Sequence, residues 1–379
     1  MMKFGFALAF FFSFLSVALA QTDAPPSIGA KQAFLVDSAT GAVLYAKNED
    51  ERMSPSSMSK MMTMYMVFDA LKSGKLKLED TLPVSERAWR QEGSRMFLNV
   101  GEKAKVEDLI RGVIVQSGND ASVVFAESLG SGSESGFADL MNAKAKELGL
   151  TGSHFTNSTG LPDPEHYSTA RDLATLAVAL QRDFPEDYHY FSEITFTHNK
   201  IAQGNRNPLL YRNMNVDGLK TGHTEAGGFG LAASCVRDGR RMVLVLNGMK
   251  NMQTRADESA KAFDYGYREF GLYPIAKTGD VMANPAVWLG QSKTIQIVAG
   301  SDAVITLPRA ARSGLKAMVS FTQPIPAPIA KGEQLGELVI TAPGMDAKTV
   351  PLVASTDVER LGFFSRVIEK LGILLGKKA

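Results

Sequence analysis

The chain has 379 residues, more than one ordinary hydrophobic core supports, so its length predicts two or three domains. Hydrophobic residues make up 45% and charged residues 21%, which is typical of globular proteins and excludes disordered or fibrous ones. A formal net charge of +1 argues against a dedicated nucleic-acid binder. Cys235 is the single cysteine, and the five histidines form no HExxH pair, so we expect no disulfide, metal or cofactor.

The first twenty residues have the pattern of a secretory signal peptide. A positive start at Lys3 precedes an apolar run over residues 4–17, and Ala18-Leu19-Ala20 matches the small-residue cleavage pattern. The run is shorter than the roughly 20 apolar residues that span a bilayer, so it does not predict a transmembrane anchor. We expect cleavage after Ala20 and an exported, periplasmic protein.

Residues 21–274 predict a mixed α+β domain. Two β-like runs, 33–37 and 42–45, flank a turn and predict a hairpin. Helical periodicity follows, and strand signals return before a last helix. The predicted helices cover residues 57–71, 106–150, 169–181 and 254–270, and the predicted strands cover residues 216–221, 228–236 and 242–249.

The composition changes near Pro274, and residues 275–357 predict a small all-β domain. β-branched runs at 295–298, 303–307, 317–322 and 337–341 alternate with Gly and Pro. The final segment, 358–379, predicts a helix with one apolar and one basic face. Such a helix either packs on the β domain or lies in a membrane surface, and its five basic residues against two glutamates favour the membrane surface.

The first chemical motif is Ser57-x-x-Lys60 at the start of a predicted helix. A serine hydroxyl becomes a good nucleophile when a base accepts its proton, and one helical turn brings the Lys60 amine within reach. The lysine must be neutral for this, so burial or a neighbouring cation has to lower its pKa. Ser313-x-x-Lys316 has the same spacing, but it falls in the β-rich region.

Two further motifs follow in chain order. Ser117-Gly118-Asn119 offers a hydroxyl and an amide two residues apart, a pattern that also occurs in helix caps and turns. Lys220-Thr221-Gly222 ends a strand-like run, and Gly222 would let a substrate backbone approach as an added strand. A second Lys-Thr-Gly at 277–279 has no strand before it and is interpreted as a loop.

The three motifs in this order resemble those of the penicillin-binding proteins and serine β-lactamases. Within that group the sequence is similar to the low-molecular-mass D-alanyl-D-alanine carboxypeptidases, and the similarity extends over essentially the whole chain. It departs from them at Ser59, where Thr is common, and at Pro208. The matching segments are residues 55–63, 116–121, 168–172, 205–207 and 216–224.

The resemblance implies a catalytic domain with a central antiparallel sheet flanked by helices and a helical subdomain, followed by the β domain and the C-terminal helix. It implies that Ser57 attacks the D-Ala-D-Ala bond of peptidoglycan pentapeptides and forms an acyl-enzyme, which β-lactam antibiotics would also form. Lys60 would be the base, with Lys220 keeping it partly neutral. Ser117 would pass the proton to the leaving nitrogen.

The resemblance also implies how the substrate is held. Asn119 would bind the substrate amide, and the backbone N–H groups of Ser57 and His223 would form the oxyanion hole. Thr221 and Arg255 would meet the substrate carboxylate, with Arg206 as a second candidate whose alternative is a structural ion pair.

Three other functions stay open from the sequence. A β-lactamase would need a deacylating glutamate, and Glu165 is a candidate, although no Glu-x-x-Leu-Asn pattern follows it. A D,D-endopeptidase would share the motifs, but the β domain and terminal helix favour the carboxypeptidase. A non-catalytic penicillin sensor or wall-binding scaffold is the third alternative, and intact Ser57, Lys60 and Lys220 argue against an inactive enzyme.

Overall fold

The computed structural model of the protein describes residues 25–225 and 227–374, so the predicted signal peptide lies outside the described residues. The helices in the described part are α1 (Lys60–Lys72), α2 (Glu86–Trp89), α3 (Val106–Val115), α4 (Asn119–Leu129), α5 (Glu134–Glu147), α6 (Ala170–Asp183), α7 (Met252–Glu269) and α8 (Phe363–Leu374). Short 3-10 turns cover Ser56–Ser59, Tyr188–Ser192, Pro208–Tyr211 and Arg309–Gly314.

The strands are numbered along the chain in the same way. They are β1 (Gln32–Asp37), β2 (Val43–Lys47), β3 (Thr81–Pro83), β4 (Lys103–Lys105), β5 (Thr195–His198), β6 (Ile201–Gly204), β7 (Val216–Thr224), β8 (Gly228–Arg237), β9 (Arg240–Met249), β10 (Phe270–Ala276), β11 (Val281–Ala283), β12 (Val287–Trp288), β13 (Ile297–Ala299), β14 (Ala303–Pro308), β15 (Lys316–Phe321), β16 (Ile325–Pro326), β17 (Gln334–Ala342) and β18 (Met345–Ala354).

A five-stranded antiparallel sheet in the order β2-β1-β9-β8-β7 forms the centre of the catalytic domain. The predicted hairpin is confirmed, because β1 pairs with β2. Both faces of the sheet are covered: Phe34 and Val36 of β1 pack in the core beneath α6, whereas Leu35 packs in the core that contains Phe263 of α7. Period-two alternation sends neighbouring side chains to opposite faces, so β1 is buried along its whole length.

The segment predicted as mostly helical, residues 106–150, is divided into α3, α4 and α5. The first break lies at 116–118, where Ser117 adopts a φ of +63° that no helix interior allows. Elsewhere, the Thr169 side chain caps α6 by accepting from the Asp172 N–H, and Met61, Met64 and Phe68 of α1 are core residues. The break in the 106–150 segment places the second motif at the junction of two helices.

The β domain contains a second five-stranded sheet in the order β11-β13-β18-β17-β15, beside the β10–β14 ribbon. β10 runs across Pro274, where the sequence places the domain boundary. The two domains meet at Asp37, which is fully buried and accepts from Arg240 Nε at 2.7 Å and from Thr306 Oγ1 at 3.0 Å. Thus a carboxylate of the first sheet binds a hydroxyl of β14.

The last described helix, α8, begins at Phe363, five residues after the predicted start of the segment. Val358 lies in the core of the β domain and forms a bridge with Ile329. Apolar side chains on α8 are exposed: Phe364 is 81% and Ile368 is 70% accessible. Among the described residues, no helix has both the length and the apolar composition to cross a bilayer.

Candidate active site

The first motif lies where the chain enters α1. Ser57 belongs to the 3-10 turn Ser56–Ser59 and is partly exposed, whereas Lys60 opens the helix and is fully buried. The turn brings Lys60 Nζ to 3.1 Å from Ser57 Oγ. Ser56, the residue before the nucleophile, has a φ of +51°. A non-glycine residue in this region is strained, which is common at functional sites.

The Lys60 amine is bonded in a way that suits a base. It donates to Asn119 Oδ1 at 2.7 Å and to the Thr159 carbonyl at 2.6 Å. Burial first and the charge of Arg206 second lower the pKa of Lys60 to about 7, while Asp120 and Glu134 oppose the shift. A neutral amine has two N–H groups, and the two carbonyl oxygens occupy both, so its lone pair is left for the Ser57 hydroxyl.

The second motif presents a hydroxyl without a partner. Ser117 Oγ is buried and makes no hydrogen bond within the described residues. Asn119 is held from two sides, because its Nδ2 donates to the Glu92 carbonyl at 2.6 Å while its Oδ1 accepts from Lys60. One Nδ2 hydrogen therefore remains for a substrate. Gly118 has no room for a side chain: a Cβ there would lie 2.9 Å from Asp120 Oδ1.

The third motif lies on β7, an edge strand of the central sheet. Lys220 is 2% exposed, and its pKa is well below the ordinary value because of burial first and of Lys60 second. Thr221 is buried beside it, whereas the His223 ring is exposed and lies 3.9 Å, centroid to centroid, from Phe229. A Cβ at Gly222 would approach the Pro55 carbonyl to 2.8 Å, so glycine allows β7 to pack on the Ser57 turn.

Two arginines meet next to this strand. Arg255 of α7 is 5% exposed, and its Nη2 donates to the Arg206 carbonyl at 3.4 Å. Burial lowers the pKa of Arg255 to about 10, with Arg206 as the second cause. Arg206 in turn donates to Ser94 Oγ at 2.5 Å. No carboxylate of the described residues forms a salt bridge with either arginine, which excludes a structural ion pair within that part of the chain and leaves the charges available for an anion.

The second Ser-x-x-Lys and Lys-Thr-Gly segments lie away from the site. Ser313 and Lys316 lie on the exposed surface of the β domain, and residues 277–279 form an exposed turn before β11. The Glu165 side chain is exposed and makes no hydrogen bond to Ser57 or Lys60 in the described part of the chain. In the same part, no cluster of three metal-ligating side chains occurs.

Sequence reasoning missed several residues that build this site. Asp120 is fully buried, and its carboxylate accepts from the Met96 and Leu98 N–H groups at 3.0 and 3.2 Å, which fixes the 93–99 loop against the second motif. Thr159 acts on Lys60 through its carbonyl, an atom that every residue has, so no sequence signal marks it. Asp120 follows Asn119 directly, and its position at the start of a helix was the available signal.

Comparison with known proteins identifies the family to which the chain belongs. The family model described as D-alanyl-D-alanine carboxypeptidase matches residues 19–251. The chain belongs to the D-alanyl-D-alanine carboxypeptidase family. It is 40% identical over 371 residues to the D-alanyl-D-alanine carboxypeptidase DacC of Escherichia coli (strain K12), covering 96% of this chain and 92% of that protein. The predicted family, enzyme class and fold class are confirmed.

The chain is also similar to solved structures of this family. Penicillin-binding protein 5 from Haemophilus influenzae superposes with a TM-score of 0.82 at 38% identity, covering 89% of this chain and 99% of that one. Residues 270–360 match the model described as the C-terminal domain of penicillin-binding protein 5. A D-alanyl-D-alanine endopeptidase of Escherichia coli (strain K12) is 30% identical but covers only 73% of this chain. The greater coverage by carboxypeptidases favours that branch of the superfamily.

Proposed function

We propose that this serine hydrolase removes the terminal D-alanine from peptidoglycan stem pentapeptides through an acyl-enzyme on Ser57. The observation that carries the proposal is the bonding of Lys60, whose two donors are taken by Asn119 Oδ1 and the Thr159 carbonyl while Ser57 Oγ lies 3.1 Å away. The test is a D-alanine release assay on such a peptide beside labelling with a fluorescent penicillin. Labelling without D-alanine release would instead identify a penicillin-binding sensor.

In the proposed reaction, Ser57 Oγ attacks the carbonyl of the penultimate D-alanine while Lys60 takes the hydroxyl proton. The carbonyl oxygen gains charge and is held by the N–H groups of Ser57 and His223, where one donor is typically worth about 3 kcal/mol. The unpartnered Ser117 hydroxyl relays the proton that Lys60 accepted to the leaving nitrogen, so Lys60 is neutral again and D-alanine departs. Water then hydrolyses the acyl-enzyme. A β-lactam would acylate Ser57 by the same attack.

The carboxylate of the leaving D-alanine is proposed to bind between Lys220, Thr221 and the two arginines. Replacing Arg255 with alanine removes charge-assisted hydrogen bonds typically worth about 1.5–3 kcal/mol. We expect kcat/KM on a D-Ala-D-Ala peptide to fall about 10- to 150-fold. An activated thioester without that carboxylate should lose much less, because Ser57 and Lys60 are unchanged.

The matched control is Arg212→Ala, since Arg212 also contacts α7, through Asp257 at 2.6 Å, but has a carboxylate partner. It should leave both substrates near normal. If Arg255→Ala lowers turnover of the peptide and the thioester equally, Arg255 supports the fold, and the same pair of substrates should be applied to Arg206→Ala.

Export and membrane attachment are also part of the proposal. The apolar run over residues 4–17 followed by Ala18-Leu19-Ala20 supports secretion to the periplasm with cleavage after Ala20. The exposed Phe364 and Ile368 on α8, together with the basic residues of the C-terminal segment, support peripheral attachment to the inner membrane. The helix would lie in the membrane surface without crossing it.

Removing residues 362–379 is expected to release the protein from membranes. The cut follows Leu361 because Val358 is buried and Arg360 Nε donates to the Ala327 carbonyl, so an earlier cut would damage the β domain. The truncated protein should appear in the soluble periplasmic fraction and release D-alanine from a soluble peptide at a near-normal rate. Continued association with membranes after truncation would show that α8 is a packing element and not the anchor.

A further inference from the structure

A chain of hydrogen bonds begins behind the catalytic turn at His166, a residue with no role in the proposed reaction. His166 is 4% exposed, and its Nδ1 accepts from the Thr156 N–H at 3.1 Å. Nδ1 is therefore the unprotonated nitrogen of a neutral ring, and Nε2 carries the proton. Nε2 lies 2.8 Å from Ser59 Oγ, so it donates to that hydroxyl. Burial, which lowers the pKa of His166 to about 4, agrees with a neutral ring.

This series of hydrogen bonds ends at Ser56, the residue before the nucleophile. Because Ser59 Oγ accepts from His166, its own hydrogen is free, and it donates to the Ser56 carbonyl at 2.8 Å. That carbonyl is packed tightly against Gly160, where a Cβ would lie only 1.9 Å from it. Ser56 has the strained φ of +51°, so its orientation has to be maintained by neighbouring groups.

The Ser56 carbonyl and the Ser57 N–H belong to one peptide unit. This peptide is trans, so the two groups point in opposite directions. Fixing the carbonyl toward Ser59 and Gly160 therefore fixes the N–H on the other side. Within the described residues the Ser57 N–H donates to no acceptor, which leaves it free for a substrate oxygen.

We propose that Ser59 and His166 are positioning residues that orient the Ser57 N–H toward the oxygen of the reacting carbonyl. The inference rests on the proposed acyl-enzyme function. It differs from a purely structural tie in what it predicts: loosening the peptide should weaken binding of the charged tetrahedral oxygen more than binding of the uncharged substrate.

Three variants test the chain of bonds. Ser59→Ala removes the donor to the Ser56 carbonyl. His166→Asn retains a group near the position of Nδ1 but is too short to reach Ser59, whereas His166→Gln extends an N–H donor to about the position of Nε2. Ser153→Ala is the control, since that hydroxyl binds Asp172 at 2.7 Å in the same lobe and does not contact the Ser56–Ser59 turn.

Loss of one oxyanion-hole donor typically lowers kcat about 100- to 1,000-fold. A donor that is present but misdirected should lose only part of that effect. We therefore expect kcat to fall about 10- to 100-fold in Ser59→Ala and in His166→Asn. KM should stay within about twofold, and affinity for a boronic acid, whose tetrahedral adduct on Ser57 places an oxygen in the same position, should fall in parallel with kcat. His166→Gln should retain most activity. The double variant Ser59→Ala/His166→Asn should lose little more activity than either single variant, because both substitutions interrupt the same series of hydrogen bonds.

Two results would overturn the proposal. The first is a lowered Tm in Ser59→Ala and His166→Asn with unchanged kcat and boronic-acid affinity. The hydrogen bonds from His166 to Ser56 would then only stabilise the fold. Equal losses of kcat in His166→Asn and His166→Gln with unchanged boronic-acid affinity would mean that His166 does not act by orienting the Ser57 N–H. These two variants also test the proposal if Ser59→Ala does not fold. Failure of the proposed function is distinguishable: the wild type would be acylated by penicillin without releasing D-alanine, and acylation rates of the variants would still test the positioning.

Discussion

Replacing Ser57 with alanine is expected to abolish both D-alanine release and covalent labelling by penicillin. The Ser57 hydroxyl is partly exposed at the entrance to α1 and is the one that faces the Lys60 amine at 3.1 Å. Alanine removes the atom that forms the acyl bond, so no residual covalent pathway remains. D-alanine release and gel fluorescence after incubation with a labelled penicillin measure the two losses.

The chain provides its own control for this variant. Ser313 has the same spacing to Lys316, but it lies exposed in the β domain. Ser313→Ala should release D-alanine and bind penicillin at the rates of the unmodified protein. Retained labelling in Ser57→Ala together with loss in Ser313→Ala would reverse the assignment of the nucleophile.

Replacing Lys60 with arginine is expected to lower the rate of acylation by roughly 100- to 10,000-fold, the range that general-base catalysis supplies. A guanidinium group stays protonated at all working pH values and cannot accept the Ser57 proton. The wild-type rate should also depend on pH. Since the pKa of Lys60 is lowered from 10.5 to about 7, acylation should fall as pH drops below about 7 and the amine becomes charged.

Single-turnover acylation by penicillin between pH 5 and pH 9 measures this dependence without interference from deacylation. Lys316→Arg is the matched control and should leave both the rate and the pH profile unchanged. An acylation rate that does not change across pH 7, or near-normal acylation in Lys60→Arg, would mean that another group takes the proton.

The sequence predicted the three motifs because each depends on side chains at fixed local spacing. Ser57 and Lys60 are one turn apart, and Lys220 to Gly222 lie on strand β7, so periodicity and motif order were enough to place them. Helix boundaries were less predictable. The break at Ser117 divides a segment of helical periodicity. There the Asn119 N–H donates to the Ser94 carbonyl and Asp120 accepts from the Met96 N–H, contacts with a distant loop that local spacing does not encode.

Other parts of the site had no local signal. Thr159 contributes a backbone carbonyl, and the loop that carries it is brought to Lys60 by folding alone. His166 belongs to none of the three motifs, and its bond to Ser59 joins residues 107 positions apart. The two arginines come from different elements, and their proximity depends on how α7 packs against β8, β9 and the Pro208–Tyr211 turn. Such contacts follow from the fold and cannot be derived from spacing.

The role of Ser57 as the acylated nucleophile can be tested by trapping the acyl-enzyme. The protein would be incubated with a D-Ala-D-Ala pentapeptide, quenched within the first turnover, digested and analysed by mass spectrometry, with D-alanine measured in the same sample. We expect one D-alanine released for each acylated chain and a tetrapeptide adduct on the fragment that contains Ser57. An adduct on any other residue, or D-alanine release that persists in Ser57→Ala, would contradict that role.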